Sequence, residues 1–215
     1  FPTLACVRGE LPDPLNPVLQ FAADCGMQLR ALSRSDYRRK QEPDFLAALS
    51  RELDCPMLLP EGGSNALAVQ GCAEIADYID FESRQHRVIA LAAGTGGTLA
   101  GLLQGVLRRG LKARILGFPV LNAPGYMARQ VHSLAGPLAA DGAAGWQILE
   151  DYHFGAYARS NPELDGFIAD FARNTGIPIE PIYTGKLFYG LWQEIRQGRI
   201  AAGTEIVALH SGGCH

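Results

Sequence analysis

Lysine is scarce in this chain: only Lys40, Lys112 and Lys186 occur among 215 residues. Lys and Arg together number 19 against 22 Asp and Glu, for a formal net charge of -3, and no basic block stands out. Nucleic-acid binding and polybasic attachment to a membrane surface are left without support. Long apolar runs are missing too. Gly, Arg or Pro interrupts each one before the roughly 18 to 20 residues that a membrane span needs, and no stretch reads as a signal peptide. No Cys-x-x-Cys occurs among Cys6, Cys25, Cys55, Cys72 and Cys214. Buried reduced thiols are therefore expected rather than a disulfide frame. What remains, 47% apolar and 19% charged, is the balance of a soluble globular chain, expected in the cytoplasm. Neither repeats nor low-complexity segments are visible. Phe1 is not a start methionine, "FPTLACV" already reads as a strand, and "LHSGGCH" stops just after one. A fragment of a longer protein is the expectation.

Short strand-like runs alternate with longer helix-like ones. Strands are expected at 3–7, 28–32, 57–59, 87–93, 113–118, 146–149 and 205–209, and helices near 16–25, 43–53, 65–84, 98–109, 124–138, 162–175 and 186–197. Asn16-Pro17 and Asn161-Pro162 pair an N-cap with a proline at the first helical position, and Gly26 and Gly176 supply the stops. Such β-α alternation predicts an α/β fold with mainly parallel sheets and helices on both faces. The charged segment 33–56 reads as a join between two lobes.

Four motifs could carry chemistry. In "VIALAAGTGGTLAGLLQG" (88–105) an apolar run enters Gly94-Thr95-Gly96-Gly97-Thr98 and a helix leaves it. Backbone N–H groups, two hydroxyls and the helix dipole there suit one phosphate ester. The loop matches neither GxxxxGK[ST] nor GxGxxG, and a plain glycine turn without a ligand explains it equally well. In "LLPEGGSNALAVQG" (58–71) Glu61, Gly62, Gly63, Ser64 and Asn65 lead into a helix, where capping alone accounts for Ser64 or Asn65. A second strand is thus expected to end in glycines, and two glycine-ended strands at the C-terminal edge of one sheet form a crevice that binds ligands. In "IPIEPIYTGKLFYG" (177–190) Tyr183 could stack on a flat ligand, move a proton, or simply pack in the core. In "ALHSGG" (208–213) Ser211 could bond a ligand. His210, Cys214 and His215 lack the second ligand pair of a metal site, and none is expected.

In order and combination these motifs resemble the family of 1-aminocyclopropane-1-carboxylate deaminase and D-cysteine desulfhydrase, pyridoxal 5'-phosphate enzymes of the tryptophan-synthase-β fold (fold type II). "VRGE" (7–10), "SRSDYRRK" (33–40), "PEGGSN" (60–65), "GTGGT" (94–98), "YTGK" (183–186) and "HSGG" (210–213) carry the resemblance through nearly the whole chain. It implies a two-lobed enzyme, with 1–56 in the smaller lobe and 57–215 as the larger. Gly94, Thr95, Gly96, Gly97 and Thr98 would cradle the cofactor phosphate. Tyr183 would lie against the pyridine ring as the catalytic proton carrier, and Thr184 and Ser211 would face the ring nitrogen. Glu61 through Asn65 would line the cleft that takes a small amino acid. A homodimer is also implied.

The deaminase pattern has a glutamate directly after the tyrosine, and here Thr184 stands instead. A ring facing hydroxyls is less protonated and a weaker electron sink. That favours desulfhydrase-like β-elimination to pyruvate, ammonia and hydrogen sulfide over cyclopropane opening. The family's cofactor-anchoring lysine lies in a Gly-Asn-Lys motif, followed by Ser-Asn-His, and neither occurs here. The chain alone is thus expected to be an N-terminally incomplete and inactive piece. Deaminase activity and a non-catalytic cofactor- or phosphate-binding remnant stay open as alternatives. The ordered motifs argue against an unrelated nucleotide-binding module.

Overall fold

The structure, a computed structural model, describes residues 1–54, 57–82, 86–139 and 145–212. Cys55, Gly213, Cys214 and His215 lie outside them. The chain divides into two compact units, Phe1–Pro60 and Glu61–His215.

In the first unit, β1 (Leu4–Arg8) pairs in parallel with β2 (Gln28–Leu32), Leu4 opposite Gln28 and Arg8 opposite Leu32. Parallel strands need a crossover, and α1 (Pro17–Asp24) supplies it. Asn16 Oδ1 accepts the N–H groups of Val18 and Leu19, and Gly26 at φ 86° ends the turn. The segment 33–56, expected as a lobe connector, instead builds α2 (Arg34–Arg38) and α3 (Pro43–Glu52) inside this unit. Its charges lie on exposed helix faces, and Arg30 on β2 pairs with Glu52 on α3. Within this unit's described residues only Leu32 and Leu49 are fully buried.

The second unit holds a four-stranded, all-parallel sheet in the order β5-β4-β3-β6. Its strands are β3 (Arg87–Ala93), β4 (Arg114–Pro119), β5 (Trp146–Ile148) and β6 (Glu205–Leu209). Side chains alternate across a strand, so β3 feeds two cores. Ile89, Leu91 and Ala93 meet α5 (Gly97–Arg108) and α6 (Tyr126–Ala135). Val88 and Ala90 belong to the core formed with α7 (Pro162–Thr175) and α8 (Thr184–Arg196). Burial on both faces is why β3 reads as one apolar run rather than an alternating one.

Two expectations fail here. Residues 57–59 form no strand: Met57 and Leu59 are exposed, and Pro60 brings no N–H to a ladder. The predicted helix 65–84 stops as α4 (Ala66–Ala73) and a 3-10 stretch, Glu74–Tyr78. The crevice of two glycine-ended strands is thus one strand end and one helix start. The cysteines also depart from expectation. Cys6 and Cys72 are half-buried and Cys25 is exposed, and none of the three is in a disulfide.

α4 is brought to the sheet edge by glycines of α5. A Cβ on Gly101 would sit 2.6 Å from the carbonyl oxygen of Val69, and one on Gly105 would collide with that of Ala73. Spaced four apart, both face the same way, and their bare backbone lets α4 lie directly on α5. This contact carries the Glu61–Asn65 turn to the start of α5.

Candidate functional site

β3 ends at Ala93, and the chain turns through Gly94 and Thr95 to Gly96, which takes φ 85° as the residue before α5. Only glycine adopts this backbone freely. It also leaves room for α6, because a Cβ there would lie 3.3 Å from Cβ of Gln130 and 3.4 Å from Sδ of Met127. Asn16, Asn65 and Asn161 cap α1, α4 and α7 with their side chains, whereas no side chain caps α5. The first-turn N–H groups of a helix have no intrahelical partner. At α5 they coincide with the positive dipole end, the setting an anion favours.

The Glu61–Asn65 turn closes over this point. Ser64 Oγ lies 2.6 Å from Thr95 Oγ1. A Cβ on Gly62, itself at φ 67°, would be 2.6 Å from Thr95 Oγ1, and one on Gly97 would be 2.5 Å from Ser64 Oγ. Two glycines therefore make the close approach of the two turns possible. Asn65 is committed to its cap, accepting the N–H of Ala68 at 2.8 Å. Gly63 is half-buried, and Thr98 is exposed on the first turn of α5.

On the other side stands Tyr183, half-buried, with its ring against Gly94: a Cβ there would lie 3.3 Å from Cε1 and 3.4 Å from the hydroxyl. Its hydroxyl donates to that of Tyr157 at 3.5 Å, and the two rings meet edge to face at 6.0 Å. Burial, the Tyr157 hydrogen bond and the carboxylates of Glu180 and Glu61 push the Tyr183 phenol above the ordinary tyrosine value. It holds its proton through the neutral range and can donate it.

Thr184 is fully buried. Its hydroxyl accepts the N–H of Glu180 at 3.0 Å and donates to the Glu180 carboxylate at 3.2 Å. That carboxylate also takes the N–H groups of Ile182, Tyr183 and Thr184 at 2.6–2.7 Å. Ser211, exposed, follows β6, whose Leu209 pairs with Leu91. It thus stands at the same sheet edge as Gly94, one strand over. Neighbouring His210 is bonded through Nε2 to the carbonyl of Pro178 at 2.8 Å. Among the described residues no His, Cys, Asp and Glu side chains form a metal-binding group, and no helix is long and apolar enough to cross a membrane.

The tertiary structure therefore gathers Glu61, Gly62, Ser64, Gly94, Thr95, Gly97 and Tyr183. It ties the side chains of Asn65 and Thr184 to local backbone instead. Sequence reasoning missed Tyr157 and Glu180. Tyr157 sits in an irregular segment 26 residues before Tyr183 with no periodicity to mark it. Glu180 carried a usable sign, an acid just ahead of a helix start.

A sequence model of the family described as "Pyridoxal-phosphate dependent enzyme" matches residues 19–212. A bifunctional D-cysteine desulfhydrase/1-aminocyclopropane-1-carboxylate deaminase of Arabidopsis thaliana is 31% identical over 202 residues, covering 87% of this chain and 50% of that protein. A D-cysteine desulfhydrase of Serratia proteamaculans is 29% identical over 183 residues, covering 81% and 56%. The crystal structure of an ACC deaminase homologue superposes with a TM-score of 0.79 at 27% identity, covering 99% of this chain and 66% of that one. The chain spans about half the length of the curated relatives it matches.

Proposed function

This chain belongs to the pyridoxal-phosphate-dependent enzyme family, with the type II fold, and we propose that the whole protein is a D-cysteine desulfhydrase-like lyase. With water, D-cysteine or a relative would yield pyruvate, ammonia and hydrogen sulfide. The observation that carries this reading is Thr184. Where the deaminase pattern has a carboxylate, this chain has a buried hydroxyl, and the nearby Glu180 carboxylate is taken up by three N–H groups of the α8 start and by Thr184 itself.

The residues fit the cofactor. An uncapped helix start, and the glycines at 62 and 97 that let the Ser64 and Thr95 turns meet beside it, suit its phosphate. Gly94 through Thr98, with Ser64, would hold that group, and Tyr183 and Ser211 would flank the ring. When bound, the cofactor withdraws electrons from the bond that breaks at the substrate α-carbon. Tyr183 holds a proton at Oη for delivery nearby. Ser211 would offer the ring nitrogen a hydroxyl, and Thr184, its own hydroxyl committed to Glu180, brings no carboxylate to that place, which suits loss of a good β-leaving group. The Gly-Asn-Lys motif that the resemblance leads one to expect for the anchoring lysine does not occur in these residues. Lys186 does not replace it, since its amine donates to two backbone carbonyls.

Opening of the cyclopropane ring is the second reading, favoured by the deaminase half of the Arabidopsis relative's name. The deciding experiment assays the full-length protein on D-cysteine, L-cysteine and 1-aminocyclopropane-1-carboxylate, following sulfide, pyruvate and 2-oxobutyrate. Sulfide and pyruvate from D-cysteine are expected. Release of 2-oxobutyrate at a comparable rate would overturn the argument from Thr184. Silence on all three with cofactor bound would favour a remnant.

A further inference from the structure

The loop His153–Ala158 follows the 3-10 turn Glu150–Tyr152 and is strained. Phe154 and Ala158 take φ 54° without being glycine, and Gly155 between them takes φ 92°. Backbone in this region persists only where its surroundings over-determine it. Some of that support is apolar, since the Phe154 ring meets Tyr189 edge to face at 5.0 Å. The rest is polar and comes from α8. Lys186 is fully buried, and its Nζ donates to the carbonyl oxygens of His153 and Ala156, each at 2.9 Å. Those two carbonyls bracket the strained Phe154 and its neighbour Gly155.

The loop has two consequences for the site. Its next residue, Tyr157, is the one whose hydroxyl and ring meet Tyr183. Gly155, Ala156 and Tyr157 also line an open cavity of about 400 Å³, together with Leu121, Asn122 and Tyr126. Lys186 lies three residues beyond Tyr183, in the first turn of α8. One helix start therefore carries both Tyr183 and the amine that holds the partner of Tyr183 in place.

We propose that Lys186 is a positioning residue: it pins the His153–Ala156 backbone to α8 and thereby sets Tyr157 against Tyr183 and shapes the cavity wall. Both bonds end on main-chain oxygens, so any sequence in the loop is held alike, and the amine is unavailable as a nucleophile. A buried lysine without these acceptors would be costly, and with them it is satisfied. The kinetic part of the following test rests on the lyase reading above; the spectroscopic part does not.

The test uses the full-length protein labelled with 3-fluorotyrosine, its Tyr157 and Tyr183 resonances assigned through Y157F and Y183F. In K186M, which keeps the length of the side chain and loses its donors, the Tyr157 resonance is expected to move to the position of free fluorotyrosine and that of Tyr183 to shift. In K186R, which keeps donors and charge, both should stay near wild type. Should K186M not fold, K186Q, with one amide donor group, serves in its place. In turnover, K186M and Y157F are each expected to lower kcat/KM, and the double variant to match K186M within about twofold, because coupled residues are not additive. An unmoved Tyr157 resonance in K186M, or fully additive kinetic losses, would overturn the proposal. So would cofactor found on Lys186 after borohydride reduction and peptide mapping.

Discussion

Ser64 Oγ and Thr95 Oγ1 lie 2.6 Å apart, joining two turns 31 residues distant in sequence. This contact closes the glycine cradle, and its loss has a measurable consequence. Thr95→Val keeps the shape and removes one hydroxyl, so binding of pyridoxal phosphate to the full-length protein should weaken by about fivefold, or about 1 kcal/mol. Gly62→Ala should do more. At φ 67° with its Cβ against Thr95, it should lower stability by about 1–3 kcal/mol in urea unfolding. Wild-type affinity in both variants would show that the phosphate sits elsewhere.

Close helix packing underlies the same geometry. Gly105→Ala drives a methyl into the Ala73 carbonyl and should cost about 1–3 kcal/mol. Cofactor retention should fall with it, because α4 carries the Ser64 turn. Gly166→Ala is the contrast. It lies inside α7 with open space around its Cβ, and should stabilise by about 0.5–1 kcal/mol in the same assay.

Tyr183 should reveal itself by titration and by rate. Its phenol lies above the ordinary value, so absorbance at high pH should show a late-ionising tyrosine that Y183F removes. In the proposed lyase, Y183F should lower kcat by about 100- to 10,000-fold, the range for a lost proton carrier, with KM changed far less. An equal rise in KM with kcat intact would make Tyr183 a binding contact only.

A charged network away from the site sets a pH dependence of stability. Tyr152 donates to Glu194 Oε1 at 2.5 Å, and Arg199 Nε reaches both Glu194 oxygens at 3.0 Å. Arg199 above all, with Tyr152, holds the Glu194 carboxyl below its ordinary 4.5, against the opposing effect of burial. The unfolded chain then takes up this proton first. The contribution is complete above pH 4.5 and is lost as pH falls through the lower folded value. Tyr152, pushed up mainly by burial to about 12, acts at the other end. Its contribution is present below pH 10 and fades as pH rises towards 12. Urea midpoints measured across pH should fall at both ends, and E194Q should flatten the acid limb. An unchanged acid limb in E194Q would assign it to other carboxylates.

What the sequence determined by itself is what depends on near neighbours along the chain. Buried strands such as 87–93 announce themselves by continuous apolar runs, and Asn16-Pro17 and Asn161-Pro162 mark helix starts, because capping and steric preference act within one turn. The ordered motifs, read together, were enough to reach the family. Tertiary structure alone decided which of those motifs touch. Residues 57–59 lost their expected strand because no partner strand takes up their N–H and C=O groups among the described residues. Thr184 turned to Glu180 because a buried hydroxyl must find a partner. Tyr157 and Lys186 acquired their places through contacts 26 to 33 residues long. No local pattern records such contacts, since their geometry comes from the packing of whole elements rather than from the residues beside them.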